Sequence, residues 1–108
     1  MLDRVPPQNI EAEQSVLGAI LIEQSAIAKI SDILQPEDFY REAHKLVYRS
    51  AMTLFERGEA IDFITVIDML RREEALERAG GISYITSLAN GVPTAANIVF
   101  HAKIVKKK

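Results

Sequence analysis

Two histidines, His44 and His101, are one group of residues in this chain whose type could support chemistry. His44 and His101 lie in separate predicted helices, the chain contains no cysteine, and the HExxH spacing of zinc enzymes is absent. The sequence therefore predicts no metal site. We interpret both histidines as partly exposed helix residues.

Glu11 and Glu13 form a second candidate, as a general acid and a general base. Two residues apart on a helix, their side chains point about 200° away from each other, so the spacing does not favour a catalytic pair. We interpret both as solvated carboxylates in the first turn of a helix, where the helix dipole favours negative charge.

Gly80 and Gly81 form a third candidate, as part of a phosphate-binding loop. They follow the helical segment ALERA and not a strand, and the Lys-Ser or Lys-Thr pair of a Walker motif is missing. We predict no nucleotide site there. These motifs together predict no catalytic residue, no metal and no cofactor in this chain, which is therefore not expected to be an enzyme by itself.

The composition is typical of one soluble globular domain. Apolar residues make up 48% and charged residues 26% of the 108 residues. The lack of cysteine is compatible with a reducing cytoplasm. No apolar run approaches the roughly 20 residues of a membrane span. A net charge of −2 does not favour direct nucleic-acid binding.

Apolar residues at three- and four-residue spacing predict an all-α fold, a compact bundle of about six helices with no stable sheet. Pro6 and Pro7 predict an extended arm over residues 1–9, with Asn9 as the cap of the first helix. The head domain then occupies residues 10–108. Gly18 inside the first helix predicts the close approach of another backbone. The helices are predicted over residues 10–22, 26–34, 42–57, from Thr65 towards Gly80, 82–89, and from Thr94 to the terminal lysines.

The predicted core draws on five of the six predicted helices. Residues 42–57 show the clearest periodicity, and Gly58 is predicted to end that helix in a left-handed conformation. Phe39 and Tyr40 are predicted to anchor the preceding turn. The core candidates are Val16, Leu17, Ile20, Leu46, Val47, Leu54, Phe55, Leu70, Ile85, Leu88, Ile98 and Val99.

The residues alone leave two functions open. The stretch from Thr65 to Gly91 has the outline of a helix-turn-helix, which would contact DNA, although its second helix, ISYITSLAN, contains no Lys or Arg. The other function is an interaction or assembly module, because Glu11, Gln14 and Tyr84 are predicted to be exposed with no reaction to perform.

Three blocks of the sequence closely resemble the N-terminal domain of the bacterial replicative DNA helicase family, DnaB. They are PPQNIEAEQSVLGAILI, PEDFYREAHKLVYRSAMTLFERGEAIDFITV and AGGISYITSLANGVPTAANI. The resemblance covers almost the whole chain and implies a non-catalytic six-helix head. It also implies a ring-shaped hexameric parent that unwinds duplex DNA 5′ to 3′. The helical hairpin and the RecA-like motor, with its ATP and magnesium, would lie outside this chain.

The same resemblance implies partners. Head domains of the family pair with one another and build a collar above the motor ring, and primase docks on that collar. A helicase loader is a further candidate partner, whereas little or no nucleic-acid contact and no membrane contact are expected. Glu11 in IEAEQ and Tyr84 in GGISY match positions of the primase-facing surface. Gln14, predicted to be exposed near Glu11, completes the candidate partner interface.

Overall fold

Five α-helices and two short 3-10 helices form the part of the chain that the computed structural model describes, residues 7–107 for the backbone and 9–107 for the side chains. No strand occurs in this range, so the predicted all-α fold class is confirmed. The helices are α1 (Pro7–Ile22), the first 3-10 helix (Gln24–Lys29), the second 3-10 helix (Pro36–Asp38), α2 (Glu42–Glu56), α3 (Phe63–Arg72), α4 (Gly81–Asn90) and α5 (Ile98–Lys107).

Helix α1 passes through the middle of the bundle, where it contacts α2, α4, α5 and the first 3-10 helix. Residues 16–21 are all buried, so this part of α1 is packed on every side. A Cβ atom on Gly18 would collide with the carbonyl oxygen of Leu88 in α4 and lie 3.0 Å from Cγ2 of Val92. The predicted close approach of another backbone at Gly18 is therefore confirmed, and α4 supplies it.

Helix α1 begins earlier than predicted. It starts at Pro7, because the fixed φ and the missing N–H of proline suit the first turn of a helix. Of the predicted arm, residues 1–6 lie outside the described range and residues 7–9 are helical. Asn9 is not the cap, and its Nδ2 donates instead to the carbonyl of Ile104 in α5 at 3.2 Å. Glu11 and Glu13 consequently lie beyond the first turn, and their predicted placement there is wrong.

Other helix boundaries differ where the capping residue was misassigned. Asp62 caps α3, since its carboxylate accepts from the backbone N–H of Thr65 at 2.9 Å, so Thr65 lies inside the helix. Residues 26–34, predicted as an α-helix, form only the end of a 3-10 helix followed by turns, and no side chain caps that helix. Helix α5 begins later than predicted, because Thr94 accepts a hydrogen bond from Ala96 within the preceding loop.

Ten of the twelve core candidates are buried, with Val99 partly buried and Phe55 as the exception. The Phe55 side chain is 37% exposed, which corrects its placement in the core. It lies about 100° around α2 from buried Leu54, at the edge of the apolar face. The segment PEDFY also anchors one ring and not two, since Phe39 is 1% exposed and Tyr40 is 56% exposed.

Tyr48 is a fully buried aromatic residue of α2. Its hydroxyl donates to the carbonyl of Leu34 at 2.9 Å, and its ring centroid lies 5.0 Å from that of Phe39. Burial raises the pKa of Tyr48 above its ordinary value, and the negative charges of Asp38 and Asp32 raise it further. The phenol therefore stays protonated and acts as a fixed hydrogen-bond donor in the core.

Candidate partner-binding site

Helices α1, α2 and α4 meet at a chain of polar side chains that runs from the core to the surface. Glu13 in α1 is 2% exposed and His44 in α2 is 0% exposed. Oε1 of Glu13 lies 2.6 Å from Nδ1 of His44, and Nε2 of His44 lies 2.6 Å from the hydroxyl of Tyr84 in α4. Gln14 donates from Nε2 to the same hydroxyl at 3.2 Å. We call these four side chains the polar network.

With Glu13 ionised and His44 neutral, one tautomer of the imidazole satisfies every hydrogen bond of this network. An ionised carboxylate only accepts hydrogen bonds, so Nδ1–H of His44 donates to Glu13. In the neutral imidazole Nε2 then accepts from the Tyr84 hydroxyl, whose oxygen accepts in turn from Gln14. Oε2 of Glu13 accepts from the backbone N–H of Tyr40 at 2.7 Å. Among the described side chains, no buried polar atom lacks a hydrogen-bond partner.

Glu13 and His44 were predicted to be solvated or partly exposed, and that prediction is wrong. Their spacing from buried neighbours in the same helix indicates burial, although glutamate and histidine are usually exposed. Glu13 lies three residues before buried Val16, and His44 lies three residues before buried Val47, so both are on the buried face of their helix. His101 is partly exposed, as predicted.

The surface end of the polar network opens into a groove of about 360 Å³ between α1 and α4. This groove brings together Glu11, Gln14 and Tyr84, the three residues predicted to face a partner. Glu11 is exposed as predicted, whereas Gln14 and Tyr84, which were also predicted to be exposed, are partly buried. We call it the α1/α4 groove. Its other lining residues are Ser15, Ser87, Leu88, Gly91 and Val92.

The ring of Tyr84 is held by its neighbours within the domain. Its plane lies 10° from that of the His44 imidazole and the centroids are 5.9 Å apart, so the two rings lie nearly end to end, joined by the bond between the Tyr84 hydroxyl and Nε2. Gly80, the N-cap of α4, also lies against the ring, because a Cβ atom there would be 2.6 Å from Cδ2 of Tyr84. The φ of +101° at Gly80 independently favours glycine. A helix start and a close ring contact therefore account for this glycine.

No group of three or more His, Asp or Glu side chains among residues 7–107 is arranged to hold a metal ion. None of the helices in that range is both long enough and apolar enough to cross a membrane.

The sequence pattern of the DnaB-like helicase N-terminal domain matches residues 5–107. The chain belongs to this family. Replicative DNA helicase DnaC of Bacillus subtilis is 54% identical over 106 residues, which are 98% of this chain and 23% of that protein. Replicative DNA helicase DnaB of Geobacillus stearothermophilus is 48% identical over 98% of this chain and 23% of its own length. The DnaB-like chain thus spans about a quarter of the length of these relatives.

Solved structures share the fold of this DnaB-like domain. The N-terminal domain of DnaB helicase from Mycobacterium tuberculosis superposes with a TM-score of 0.89 at 47% identity, covering 95% of this chain and 72% of that one. A DnaB-like replicative helicase, described with its interactions with primase, superposes with a TM-score of 0.78 at 33% identity, covering 89% of this chain and 22% of that one. The predicted resemblance to the DnaB N-terminal domain is confirmed.

Proposed function

We propose that this domain is a non-catalytic assembly and docking domain of a hexameric replicative DNA helicase, and that its α1/α4 groove binds primase. The meeting of Glu11, Gln14 and Tyr84 in one groove carries the proposal. The similar DnaB-like helicase that was described with its interactions with primase supports the choice of partner. In this proposal the domain pairs with further copies to form the collar of the hexamer. Unwinding with ATP and magnesium belongs to the motor of the whole helicase.

The α1/α4 groove suits a partner that presents basic and apolar groups. The Tyr84 ring offers a large contact area with few rotatable bonds, which is typical of residues that dominate binding energy. The exposed carboxylate of Glu11 attracts cations of an approaching partner. Val92, which is partly buried, adds apolar surface to the same groove.

Replacing Tyr84 with Ala should weaken binding of the helicase-binding domain of primase by about 30-fold, because an aromatic anchor contributes about 2 kcal/mol to such an interface. Glu11→Ala should weaken binding by about three- to tenfold, and added salt should reduce this loss because salt screens an exposed charge. Calorimetric titration measures both affinities. The titration is made with the isolated chain and repeated with the full-length hexamer, where neighbouring heads can complete the interface.

Two matched controls lie outside the α1/α4 groove. Tyr40→Ala removes a 56% exposed aromatic side chain and leaves in place the backbone N–H that bonds to Glu13. Glu56→Ala removes an exposed carboxylate at the end of α2. Both variants should bind primase within about twofold of the wild type, as expected for surface changes outside an interface. If Tyr84→Ala bound as tightly as these controls in the hexamer, the groove would not be the primase site.

The helix-turn-helix alternative, Thr65 to Gly91, makes a different prediction. Its second helix would be α4, which carries no Lys or Arg and buries Ile85 and Leu88 against the rest of the domain. Fluorescence anisotropy with labelled single- and double-stranded DNA at about 50 mM salt distinguishes the two functions. Binding that falls steeply as salt is added would favour the DNA-contacting module.

A further inference from the structure

The hydroxyl of Tyr84 is directed into the domain, since it bonds to Gln14 and to the fully buried His44. A partner in the α1/α4 groove therefore meets the ring of Tyr84 while its hydroxyl is already engaged. We propose that Glu13 and His44 are positioning residues that hold this ring in the orientation that primase binds. This inference rests on the proposed function of the groove.

The contacts of Tyr84 explain why its orientation matters. His44 bonds to the hydroxyl at the end of the ring, with the two ring planes only 10° apart, and the backbone of Gly80 limits movement of the ring near Cδ2. A side chain that is fixed before binding loses less conformational freedom in the complex, so the affinity is higher. The ring is consequently preorganised by groups that lie outside the groove.

Glu13 acts one step further from the partner. Its Oε1 bonds to Nδ1 of His44, which leaves Nε2 as the acceptor for the Tyr84 hydroxyl. Its Oε2 is fixed by the backbone N–H of Tyr40 at 2.7 Å. Without this carboxylate the imidazole is free to carry its proton on Nε2, and the Tyr84 hydroxyl then accepts from Nε2–H instead of donating, so the direction of this bond is no longer fixed. At 2% and 0% exposure, Glu13 and His44 do not reach a partner themselves.

Two substitutions of His44 separate its two hydrogen bonds. The amide nitrogen of Asn lies close to the Nδ1 position, so His44→Asn keeps the bond to Glu13 and loses the bond to Tyr84. The amide oxygen of Gln lies close to the Nε2 position, so His44→Gln keeps an acceptor for Tyr84 and loses the bond to Glu13. We expect primase affinity to fall about tenfold for His44→Asn and about threefold or less for His44→Gln.

A double-mutant cycle with Tyr84→Ala gives a result that a merely structural role would not produce. If His44 acts through Tyr84, the effect of His44→Asn on affinity disappears when Tyr84 is already Ala. General loss of structure would lower affinity by the same factor in both backgrounds. Tyr48→Phe is the matched control, because it removes one buried hydrogen bond from the same helix, four residues from His44. It should lower stability and leave affinity unchanged.

Nitrogen NMR of the His44 ring tests the positioning without the partner. We expect the Nδ1–H tautomer in the wild type, and a shifted Tyr84 ring resonance in His44→Asn but not in His44→Gln. Wild-type affinity for His44→Asn, or an unchanged effect in the Tyr84→Ala background, would overturn the positioning role and leave the groove as the docking site. If the wild-type hexamer did not bind primase at all, the proposed function would fail, and the positioning role with it.

Discussion

Replacing His44 with Leu should lower the free energy of unfolding by about 3–5 kcal/mol. The substitution removes two hydrogen bonds at once, each 2.6 Å long, from the Glu13 carboxylate and from the Tyr84 hydroxyl. A buried carboxylate that loses its partner is costly because water cannot replace the lost bond. Urea denaturation followed by circular dichroism measures the change.

Two further variants show whether the loss comes from the orphaned partners. Adding Glu13→Leu to His44→Leu should recover part of the stability, because it removes the carboxylate whose Oε1 has lost its partner, although the backbone N–H of Tyr40 then loses its bond to Oε2. Tyr48→Phe removes a single neutral hydrogen bond in the core and should cost only about 1 kcal/mol. A His44→Leu variant as stable as Tyr48→Phe would contradict the buried polar network.

Replacing Leu54 with Ala should lower the free energy of unfolding by about 2–5 kcal/mol, because it removes buried methyl groups and leaves a cavity. Leu54 is 3% exposed and lines a pocket between α2 and α3 together with Ile67 and Met69. Denaturant unfolding of the two chains under identical conditions gives the difference.

Phe55→Ala is the matched control, because it shortens a larger side chain at the adjacent position of α2. The Phe55 side chain is 37% exposed, so we expect a loss of about 1 kcal/mol. A loss for Phe55→Ala that equals or exceeds the loss for Leu54→Ala would mean that the buried face of α2 is misassigned.

The all-α fold could be predicted because each helix has its own apolar periodicity. Gly18 could also be interpreted from the sequence, since a glycine inside an apolar helix indicates close packing. The exact helix starts could not be predicted. Asp62 and Thr65 are both good capping residues, and the reciprocal hydrogen bonds that choose Asp62 form only in the folded chain.

The polar network was missed because its hydrogen bonds join residues that are distant in the sequence. Glu13 and His44 are 31 positions apart, and His44 and Tyr84 are 40 apart. Glutamate and histidine are usually exposed, so each residue considered alone favoured the surface. Only the packing of α2 and α4 on α1 brings Glu13, His44 and Tyr84 together, so that each buried side chain has a hydrogen-bond partner.

Glu11, Gln14 and Tyr84 were each predicted separately as partner residues, from their expected exposure and, for Glu11 and Tyr84, from the resemblance to the family. Gln14 and Tyr84 are 70 positions apart in the sequence and share a hydrogen bond in the structure. The close approach of α1 and α4 at Gly18 is what places both in one groove with Glu11. The sequence could therefore indicate the members of the site but not the shape of the groove.

The most direct test of primase docking in the α1/α4 groove is NMR mapping of the isotope-labelled chain during titration with the unlabelled helicase-binding domain of primase. We expect the largest changes in backbone amide shifts at Glu11, Ser15, Tyr84, Ser87 and Val92, with much smaller changes when Tyr84 is replaced by Ala. Changes centred instead on α3, around Ile64 and Arg71, which line a different pocket, would contradict the account.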